Sequence, residues 1–230
     1  MVVSGTSGHS VMGVLLIKVL VADDHHIVRA SIARLLDAEE GITVVGEAVD
    51  GEGAIALARQ MHPDIVLMDI RMPGIGGLEA TRKIASGIAN VQVLVLTAFL
   101  DDTFAQRLLD AGASGFISKG AEPADMVLAI RTVFAGQRYI SPDIAQRLVL
   151  ARIDSEDNPF DNLSHRELQV AIMIVNCQRV SEISDSLFLS PKTVNTYRYR
   201  IFEKLGVTSD VELTHLGLRY GLVDGYRSET

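Results

Sequence analysis

The sequence predicts a doubly wound α/β domain on a five-stranded parallel sheet, followed by an all-α domain of four helices. Between residues 14 and 139, short apolar runs alternate five times with helical patterns, which is typical of a parallel sheet with helices on both faces. From residue 162 onward the strand signals stop while helical patterns continue. The stretch between these regions is polar, acidic and interrupted by Pro159, as expected of a linker.

The predicted strands are apolar runs bounded by turn residues or charges. The third consists of Ile, Val, Leu and Met between Asp64 and Asp69, as expected of a central strand buried on both faces. The five predicted strands cover residues 17–22, 42–48, 64–69, 91–97 and 114–117. Apolar residues three and four positions apart predict the intervening helices at residues 27–36, 54–61, 78–85, 101–112 and 122–134.

The chain divides into four predicted segments. Residues 1–13 are rich in Ser and Gly and lack periodicity, so they are interpreted as a disordered extension or a tag. Residues 14–139 form the α/β domain, and residues 140–161 supply one further helix and the linker. Residues 162–230 form the helical domain, with helices predicted at 164–176, 180–188, 191–205 and 209–220.

Composition and charge exclude several classes of protein. With 48% hydrophobic and 22% charged residues, the chain has the composition of a globular protein that buries a core. The net charge of −8 argues against a general polyanion binder, so a surface for nucleic acid must be local. The single cysteine, Cys177, fits a reducing cytoplasm and is interpreted as a small buried or half-buried hydrophobe in a helix. The apolar run at residues 14–22 is too short for a bilayer, so no membrane insertion is expected.

Polar side chains with related chemistry stand at the ends of four predicted strands. They are Asp23, Asp24, Asp69, Thr97 and Lys119. Ligands of open α/β sheets bind beyond the carboxyl ends of the strands, so these groups should converge on one rim. Three carboxylates repel one another unless a cation lies among them, and hard oxygen ligands suit Mg²⁺. A carboxylate can also attack phosphorus to give an aspartyl phosphate.

Simpler interpretations exist for the same residues. An Asp after a strand often serves only as a helix cap or turn former, which is the alternative for Asp69. The adjacent His25 and His26 are poor joint metal ligands because neighbouring side chains on a helix diverge by about 100°. Solvent exposure or a contact with a kinase is expected for both histidines.

A resemblance to a known family accounts for these residues together. Asp23-Asp24, residues 68–74, Leu96-Thr97-Ala98 and residues 115–119 resemble the receiver domain of two-component response regulators. The resemblance covers about residues 17–139. Many receivers carry Pro directly after the lysine, whereas this chain has Gly120.

The receiver resemblance implies a role for each matching residue. Asp69 would accept a phosphoryl group from the phosphohistidine of a sensor histidine kinase, with Thr97 and Lys119 assisting. Asp24, Asp69 and the backbone carbonyl of Arg71 would hold Mg²⁺, with Asp23 helping to orient it. Thr97 and Phe116 match the switch pair of the family, in which the hydroxyl moves toward the phosphate and the ring follows inward.

The second domain carries a candidate recognition helix at residues 191–205. Ser190 is suited to cap this helix and Pro191 to open it. Apolar side chains at helical spacing should face the core, namely Val194, Tyr197, Ile201 and Leu205. Basic side chains form a cationic strip, namely Lys192, Arg198, Arg200 and Lys204. A short helix, a tight turn and such a second helix fit the major groove, although a solvated basic face on a small bundle would give the same pattern.

A second family resemblance favours DNA binding over a solvated basic face. Residues 162–224 resemble the LuxR-type helix-turn-helix domain of the NarL/FixJ family, and residues 189–205 are especially similar to the GacA/UvrY/SirA group. The resemblance implies base contacts by Asn195, Thr196 and Tyr199 and backbone contacts by Lys192, Thr193 and Arg198. It further implies a cytoplasmic transcription regulator that works with RNA polymerase, dimerises on phosphorylation and binds promoters of small regulatory RNA genes. A hybrid membrane kinase would be the phosphate source.

Two other classes of function remain open at the level of sequence. A phosphatase could use Asp69 as its nucleophile, but such enzymes carry a second Asp two positions on, where this chain has Arg71, so the chain is not expected to be an enzyme. A phosphate-independent module could bind DNA constitutively or through a protein partner. Turnover would distinguish the first alternative, and the response of DNA affinity to a phosphoryl mimic would distinguish the second.

Overall fold

A six-stranded parallel sheet forms the centre of the N-terminal domain. The computed structural model describes residues 16–97, 102–154, 158–220 and 222. The strands are β1 Ile17–Ala22, β2 Ile42–Ala48, β3 Ile65–Asp69, β4 Gln92–Thr97, β5 Gly115–Ser118 and β6 Tyr139–Ile140. Their order is β2-β1-β3-β4-β5-β6, with all neighbours parallel.

Helices cover both faces of this sheet, as the alternating pattern predicts. They are α1 His26–Asp37, α2 Gly51–Met61, α3 Gly76–Gly87, α4 Asp102–Asp110 and α5 Pro123–Phe134. The core on one face joins the sheet to α2, α3 and α4, and the core on the other joins it to α1 and α5. Strand β3 sends Val66 and Met68 to the first core and Ile65 and Leu67 to the second. The prediction of a central strand buried on both faces is therefore confirmed.

The prediction of five strands is wrong, because Tyr139 and Ile140 add a sixth. A two-residue strand shows no period in the sequence, so pattern alone does not identify it. Gly115 makes the pairing with β5 close: a Cβ at this position would lie 2.2 Å from the Tyr139 carbonyl oxygen. The glycine therefore lets β6 approach the edge of the sheet, where Gly115 pairs with Tyr139 and Phe116 with Ile140.

The C-terminal domain is helical and has its own core. Helix α6, Pro142–Asp154, precedes a 3-10 helix at Pro159–Asn162, and the domain continues with α7 His165–Val175, α8 Val180–Leu187, α9 Pro191–Leu205 and α10 Asp210–Arg219. Phe160 of the 3-10 helix is fully buried among residues of α7 to α10. The polar stretch expected to be a linker thus contributes an aromatic anchor to the core. Within the described residues, no helix is both long and apolar enough to cross a bilayer.

The environment predicted for Cys177 is wrong. Helix α7 ends at Val175, and Cys177 lies beyond it with an exposed side chain and a positive φ of 60°. The apolar pattern that precedes the cysteine belongs to α7, which turns away before reaching it. The thiol is therefore a surface group at the start of the connection to α8.

Candidate functional site

The register of the parallel sheet brings the predicted site residues to one rim. Ala22 of β1 pairs with Met68 of β3, so Asp23 and Asp69 follow at the same level. On the other side, Thr97 of β4 pairs with Ser118 of β5, and Lys119 is the next residue. A cavity at this rim is lined by Asp69, Thr97 and Lys119 together with residues 25, 28, 70 and 71.

Lys119 lies between the two buried carboxylates of the rim. Its Nζ is 2.8 Å from Asp23 Oδ2 and 2.8 Å from Asp69 Oδ2. Asp23 is fully buried and Asp69 is 2% exposed. Apart from Lys119, neither oxygen has a hydrogen-bond partner among the described residues. Two buried carboxylates therefore share one ammonium group, which leaves the site short of positive charge.

Burial and charge shift the pKa values of these groups. Burial raises the pKa of the Asp69 carboxyl, and the opposing effect of Lys119 does not cancel this shift. Burial alone would lower the pKa of Lys119, but hydrogen bonds and attraction from Asp23 and Asp69 outweigh it and raise the pKa. Lys119 is therefore charged at neutral pH, and a proton or a second cation stabilises Asp69.

A third acid and a histidine complete the cluster. Asp24 is more exposed than Asp23, and one ligand atom from each of Asp23, Asp24, His25 and Asp69 lies within 4.8 Å of the others. His25 Nδ1 is 2.7 Å from Asp24 Oδ1, with the histidine side chain 66% exposed. Sequence reasoning expected the exposure of His25 but missed its contact with the acids, which follows from its place at the turn before α1. Three carboxylates on a rim that offers only one ammonium group to its two buried members fit a hard divalent cation such as Mg²⁺.

The loop after Asp69 is fixed by close backbone contacts. Arg71 N donates to Asp69 Oδ1 at 3.3 Å, and Gly77 N donates to the Ile70 carbonyl at 3.0 Å. A Cβ on Gly77 would lie 2.0 Å from the Asp69 carbonyl oxygen, so only glycine allows α3 to start this close to β3. The sequence predicts that this helix begins at residue 78, whereas in the structure Gly76 and Gly77 are its first two residues.

The predicted switch residues lie on the neighbouring strands β4 and β5, and the aromatic member is already inside the core. Thr97 is 3% exposed at the end of β4. Phe116 is fully buried in the core shared with α3 and α4. The ring therefore already occupies the inward position that the receiver resemblance assigns to the phosphorylated protein.

Helix α9 has the capping and packing that the sequence predicts. Ser190 Oγ accepts from Thr193 N at 3.1 Å, and Gly206 ends the helix with a left-handed φ of 67°. Val194 and Ile201 are buried in the core, and Tyr197 and Leu205 are partly buried against it. The opposite face of the helix is open to solvent.

The six residues predicted to contact DNA lie on this helix and differ in their exposure to solvent. Lys192, Thr196 and Tyr199 are exposed, and Tyr199 is 73% exposed. Thr193, Asn195 and Arg198 are half-buried. Arg198 forms a two-point ion pair with Asp210 of α10, with Nε 2.7 Å from Oδ1 and Nη2 2.7 Å from Oδ2. The guanidinium is thus held at the side of the helix instead of ranging freely.

Lys204 does not belong to an open cationic strip as the sequence suggested. Its Nζ lies 2.7 Å from Glu167 Oε2 and donates to the Asn162 carbonyl at 3.1 Å. Burial alone would raise the pKa of Glu167, but hydrogen bonds from Lys204 and Ser164 outweigh it and lower the pKa. Lys204 therefore ties α9 to the start of α7, where Ser164 and Glu167 form a capping box.

Two side chains connect the DNA-binding half of the chain to the rim and to α4. Gln169 Nε2 of α7 donates to the carbonyl oxygens of Gly74, at 3.4 Å, and of Ile75, both in the loop that follows Asp69. Arg107 Nη2 of α4 donates to the carbonyl oxygens of Phe160 at 2.8 Å and Leu163 at 2.9 Å. The contacts use α7 and the 3-10 helix, and they leave the solvent face of α9 open.

Comparison with known proteins identifies both domains. Residues 19–131 match the response regulator receiver domain, and residues 161–216 match the bacterial regulatory proteins of the luxR family. The chain is 58% identical to the response regulator GacA of Pseudomonas aeruginosa over 211 residues, covering 91% of this chain and 99% of that protein. It is 54% identical to the response regulator UvrY of Escherichia coli K12 over 209 residues, covering 90% and 96%.

A solved structure matches this chain across both domains. The response regulator RcsB of Salmonella typhimurium is 27% identical, with a TM-score of 0.69, and the match covers 87% of this chain and 96% of that one. Both domain matches and both relatives agree with the receiver-like rim and the capped recognition helix described above. The chain therefore belongs to the two-component response regulators with a LuxR-type DNA-binding domain, and it is a DNA-binding regulator of transcription.

Proposed function

We propose that Asp69 is the phosphoryl acceptor of this regulator and that a sensor histidine kinase is the donor. The observation that carries the proposal is the place of Lys119, 2.8 Å from both buried carboxylates at the end of the sheet. An oxygen of Asp69 attacks phosphorus, the bond from phosphorus to the donor imidazole nitrogen breaks, and the imidazole leaves with the electron pair. Lys119 offsets negative charge on the transferred group, and the Thr97 hydroxyl donates to one of its oxygens.

Magnesium fits the acidic rim as the metal of this reaction. Asp24, Asp69 and the backbone carbonyl of Arg71 would hold the ion, and Asp23 would orient it. Bound there, Mg²⁺ supplies the positive charge that two buried carboxylates and one lysine lack. The chain itself contributes the fixed ligands, the ammonium group and the shielding of Asp69 from water.

Phosphorylation would reach the DNA-binding domain through the contacts of Gln169 and Arg107. Gln169 donates to the carbonyl of Ile75 in the loop that follows Asp69, and Arg107 extends from α4 to the turn before α7. The Phe116 ring is already buried in the core, so phosphorylation would not act by moving this ring inward. Repositioning of the loop and of α4 would instead weaken the two contacts and shift the population toward separated domains.

The output would be a dimer bound to promoter DNA in the cytoplasm, acting with RNA polymerase. Lys192, Thr193 and Arg198 would contact phosphates, and Asn195, Thr196 and Tyr199 would face bases. A dimer would place two recognition helices on half-sites related by a two-fold axis. The resemblance of residues 189–205 to the GacA/UvrY/SirA group implies target promoters of small regulatory RNA genes and a hybrid membrane kinase as the cognate donor.

Acetyl phosphate with Mg²⁺ tests the acceptor directly. The intact protein should gain one phosphoryl group by mass spectrometry, and Asp69→Asn should gain none. Asp125→Asn provides the control, because Asp125 is an exposed acid on α5. Stoichiometric labelling of the Asp69→Asn protein would rule out this assignment.

Two assays address the other functions. Steady-state release of phosphate should be slow, since Arg71 stands where a phosphatase of this type carries its second acid. Beryllofluoride with Mg²⁺ should raise the affinity for promoter DNA, whereas a phosphate-independent binder would show equal affinity with and without it.

A further inference from the structure

Arg29 is a buried charged residue that the phosphoryl-transfer proposal leaves without a role. It lies in the first turns of α1 and is 8% exposed. Arginine is rarely buried unless its guanidinium is paired and hydrogen-bonded, so its partners show what the position serves. Both partners belong to the acidic end of the sheet.

The guanidinium of Arg29 bridges two strands at their carboxyl ends. Nη1 donates to the backbone carbonyl oxygen of Asp23 at 2.7 Å, and this contact is buried. Nε donates to Glu47 Oε2 of β2 at 3.0 Å. Glu47 in turn pairs in register with Val21 of β1, two residues before Asp23. The Glu47 carboxylate therefore orients the guanidinium, and the guanidinium holds the turn after β1.

The carbonyl that Arg29 binds belongs to the peptide between the two acids. This peptide is planar, so holding the oxygen of Asp23 also orients the N–H of Asp24. It fixes ψ of Asp23 and φ of Asp24, the two torsions that set the angle between their side chains. Two further restraints act on the same turn: Asp23 N donates to the Ala48 carbonyl at 3.1 Å, and His25 N donates to Asp23 Oδ1 at 2.8 Å.

We propose that Arg29, oriented by Glu47, is a positioning residue that sets the spacing of the Asp23 and Asp24 carboxylates for a divalent cation. The inference rests on the proposed function only in placing a cation at the acidic rim. Arg29 makes no contact with the Asp69 carboxylate in the described structure, so it acts on the cation through the backbone of its neighbours. Loss of the bridge leaves Asp24, the more exposed acid, free to turn away from Asp69.

Binding of Mg²⁺ to the full-length protein, followed through backbone amide resonances near Asp24 and Asp69, tests this role without requiring phosphorylation. Arg29→Met keeps the length of the side chain and removes its donors. It should raise the half-saturating Mg²⁺ concentration about tenfold, the lower end of the range for residues that support metal ligands. Arg34→Met is the matched control, because Arg34 is an exposed arginine on the same helix.

Two further variants separate positioning from a general loss of stability. Arg29→Lys keeps one donor for the Asp23 carbonyl and should give an intermediate half-saturating concentration. Glu47→Gln keeps an acceptor oxygen for Nε and should bind Mg²⁺ nearly as the unchanged protein does. A purely structural role would lower the unfolding midpoint of Arg29→Met and leave the Mg²⁺ titration of the folded protein unchanged. That result would overturn the proposal. If Arg29→Met does not fold, the proposal would be overturned by a folded Arg29→Lys protein whose half-saturating Mg²⁺ concentration equals that of the unchanged protein.

Labelling by acetyl phosphate at varied Mg²⁺ gives the second measurement. In Arg29→Met, the Mg²⁺ concentration for half-maximal labelling should rise by about the same tenfold, while the rate at saturating Mg²⁺ returns close to that of the unchanged protein. If the unchanged protein binds Mg²⁺ but is not labelled, the acceptor role of Asp69 fails while the role of Arg29 stands. If it is labelled normally and the Arg29 variants share its Mg²⁺ dependence, only the role of Arg29 fails.

Discussion

The guanidinium of Arg107 in α4 donates a hydrogen bond of 2.9 Å to the carbonyl of Leu163, which directly precedes the capping box of α7. The same nitrogen also reaches the Phe160 carbonyl at 2.8 Å. One side chain of the receiver thus satisfies the carbonyl end of the 3-10 helix that anchors the DNA-binding domain. A charged donor in α4, the helix that follows β4 at the acidic rim, therefore takes part in the contact between the two domains.

We expect Arg107→Met to loosen this arrangement. Hydrogen bonds from a charged donor contribute about 1.5–3 kcal/mol when buried, and about 1 kcal/mol is expected for this half-buried site. DNA affinity of the unphosphorylated protein should therefore rise about fivefold, measured by fluorescence anisotropy. Arg131→Met is the control, because Arg131 donates to Glu40 within the receiver. Equal affinities for the two variants would mean that the contact does not restrain the DNA-binding domain.

Two lysines of the recognition helix should behave differently in DNA binding. Lys192 is exposed at the N-terminal end of α9, whereas Lys204 is engaged by Glu167 and the Asn162 carbonyl. Lys192→Met should weaken DNA binding and reduce the salt-dependence slope by about 1, the effect of losing one phosphate contact. Lys204→Met should leave the slope unchanged and instead lower the unfolding midpoint. The reverse result would place the basic surface at the other end of the helix.

Replacing Asp69 should stabilise the protein while abolishing phosphorylation. Because burial raises the pKa of Asp69, the folded protein binds this proton more tightly than the unfolded chain does. The ionised carboxylate therefore costs stability above the ordinary carboxyl range and costs nothing below it. Asp69→Asn should raise the free energy of unfolding by about 1 kcal/mol at pH 7 and by nothing near pH 3. Urea titrations at both pH values, without Mg²⁺, check this, and a gain that persists at low pH would assign the effect to packing.

Phe188 holds a strained backbone conformation at the turn of the helix-turn-helix. Its φ is 52° and ψ 44°, and the residue is 84% exposed, so little packing compensates for the strain. Asn tolerates this region better than other non-glycine residues, so Phe188→Asn should stabilise the domain by about 1 kcal/mol in thermal unfolding. Phe188→Leu removes the ring but keeps the strain and should bring no gain. A loss of stability in the Asn variant would show that the ring makes a compensating contact.

Most of the receiver fold follows from local pattern. Five apolar runs with helical segments between them predict the doubly wound sheet, and β3 is buried on both faces as its composition requires. The sixth strand could not be predicted, because two residues carry no period and the cue at Gly115 is a contact distant in sequence. The exposure of Cys177 was missed because the residue lies in the connection after α7, where helical spacing does not determine which side chains are buried.

The convergence of the acidic residues at one rim was predictable from the sequence, but the side chains that hold them in place were not. Parallel strands end at one edge, so Asp23, Asp69 and Lys119 had to approach one another once the strand order was known. The pairing of Arg29 with the Asp23 carbonyl depends on how α1 packs, which residue type and spacing do not specify. The partner of Lys204 was likewise not predictable. Its charge suggested a contact with DNA, whereas in the structure it pairs with Glu167.

The open face of α9 bears on how a resting copy finds its target. Lys192 and Tyr199 are exposed while Gln169 and Arg107 hold the domains together, so this arrangement leaves both side chains open to solvent. We therefore expect an unphosphorylated molecule to slide and hop along arbitrary chromosomal sequence through contacts with phosphates. Under the proposed function, the kinase signal would therefore govern how long a molecule dwells at an operator, and not whether it reaches the genome.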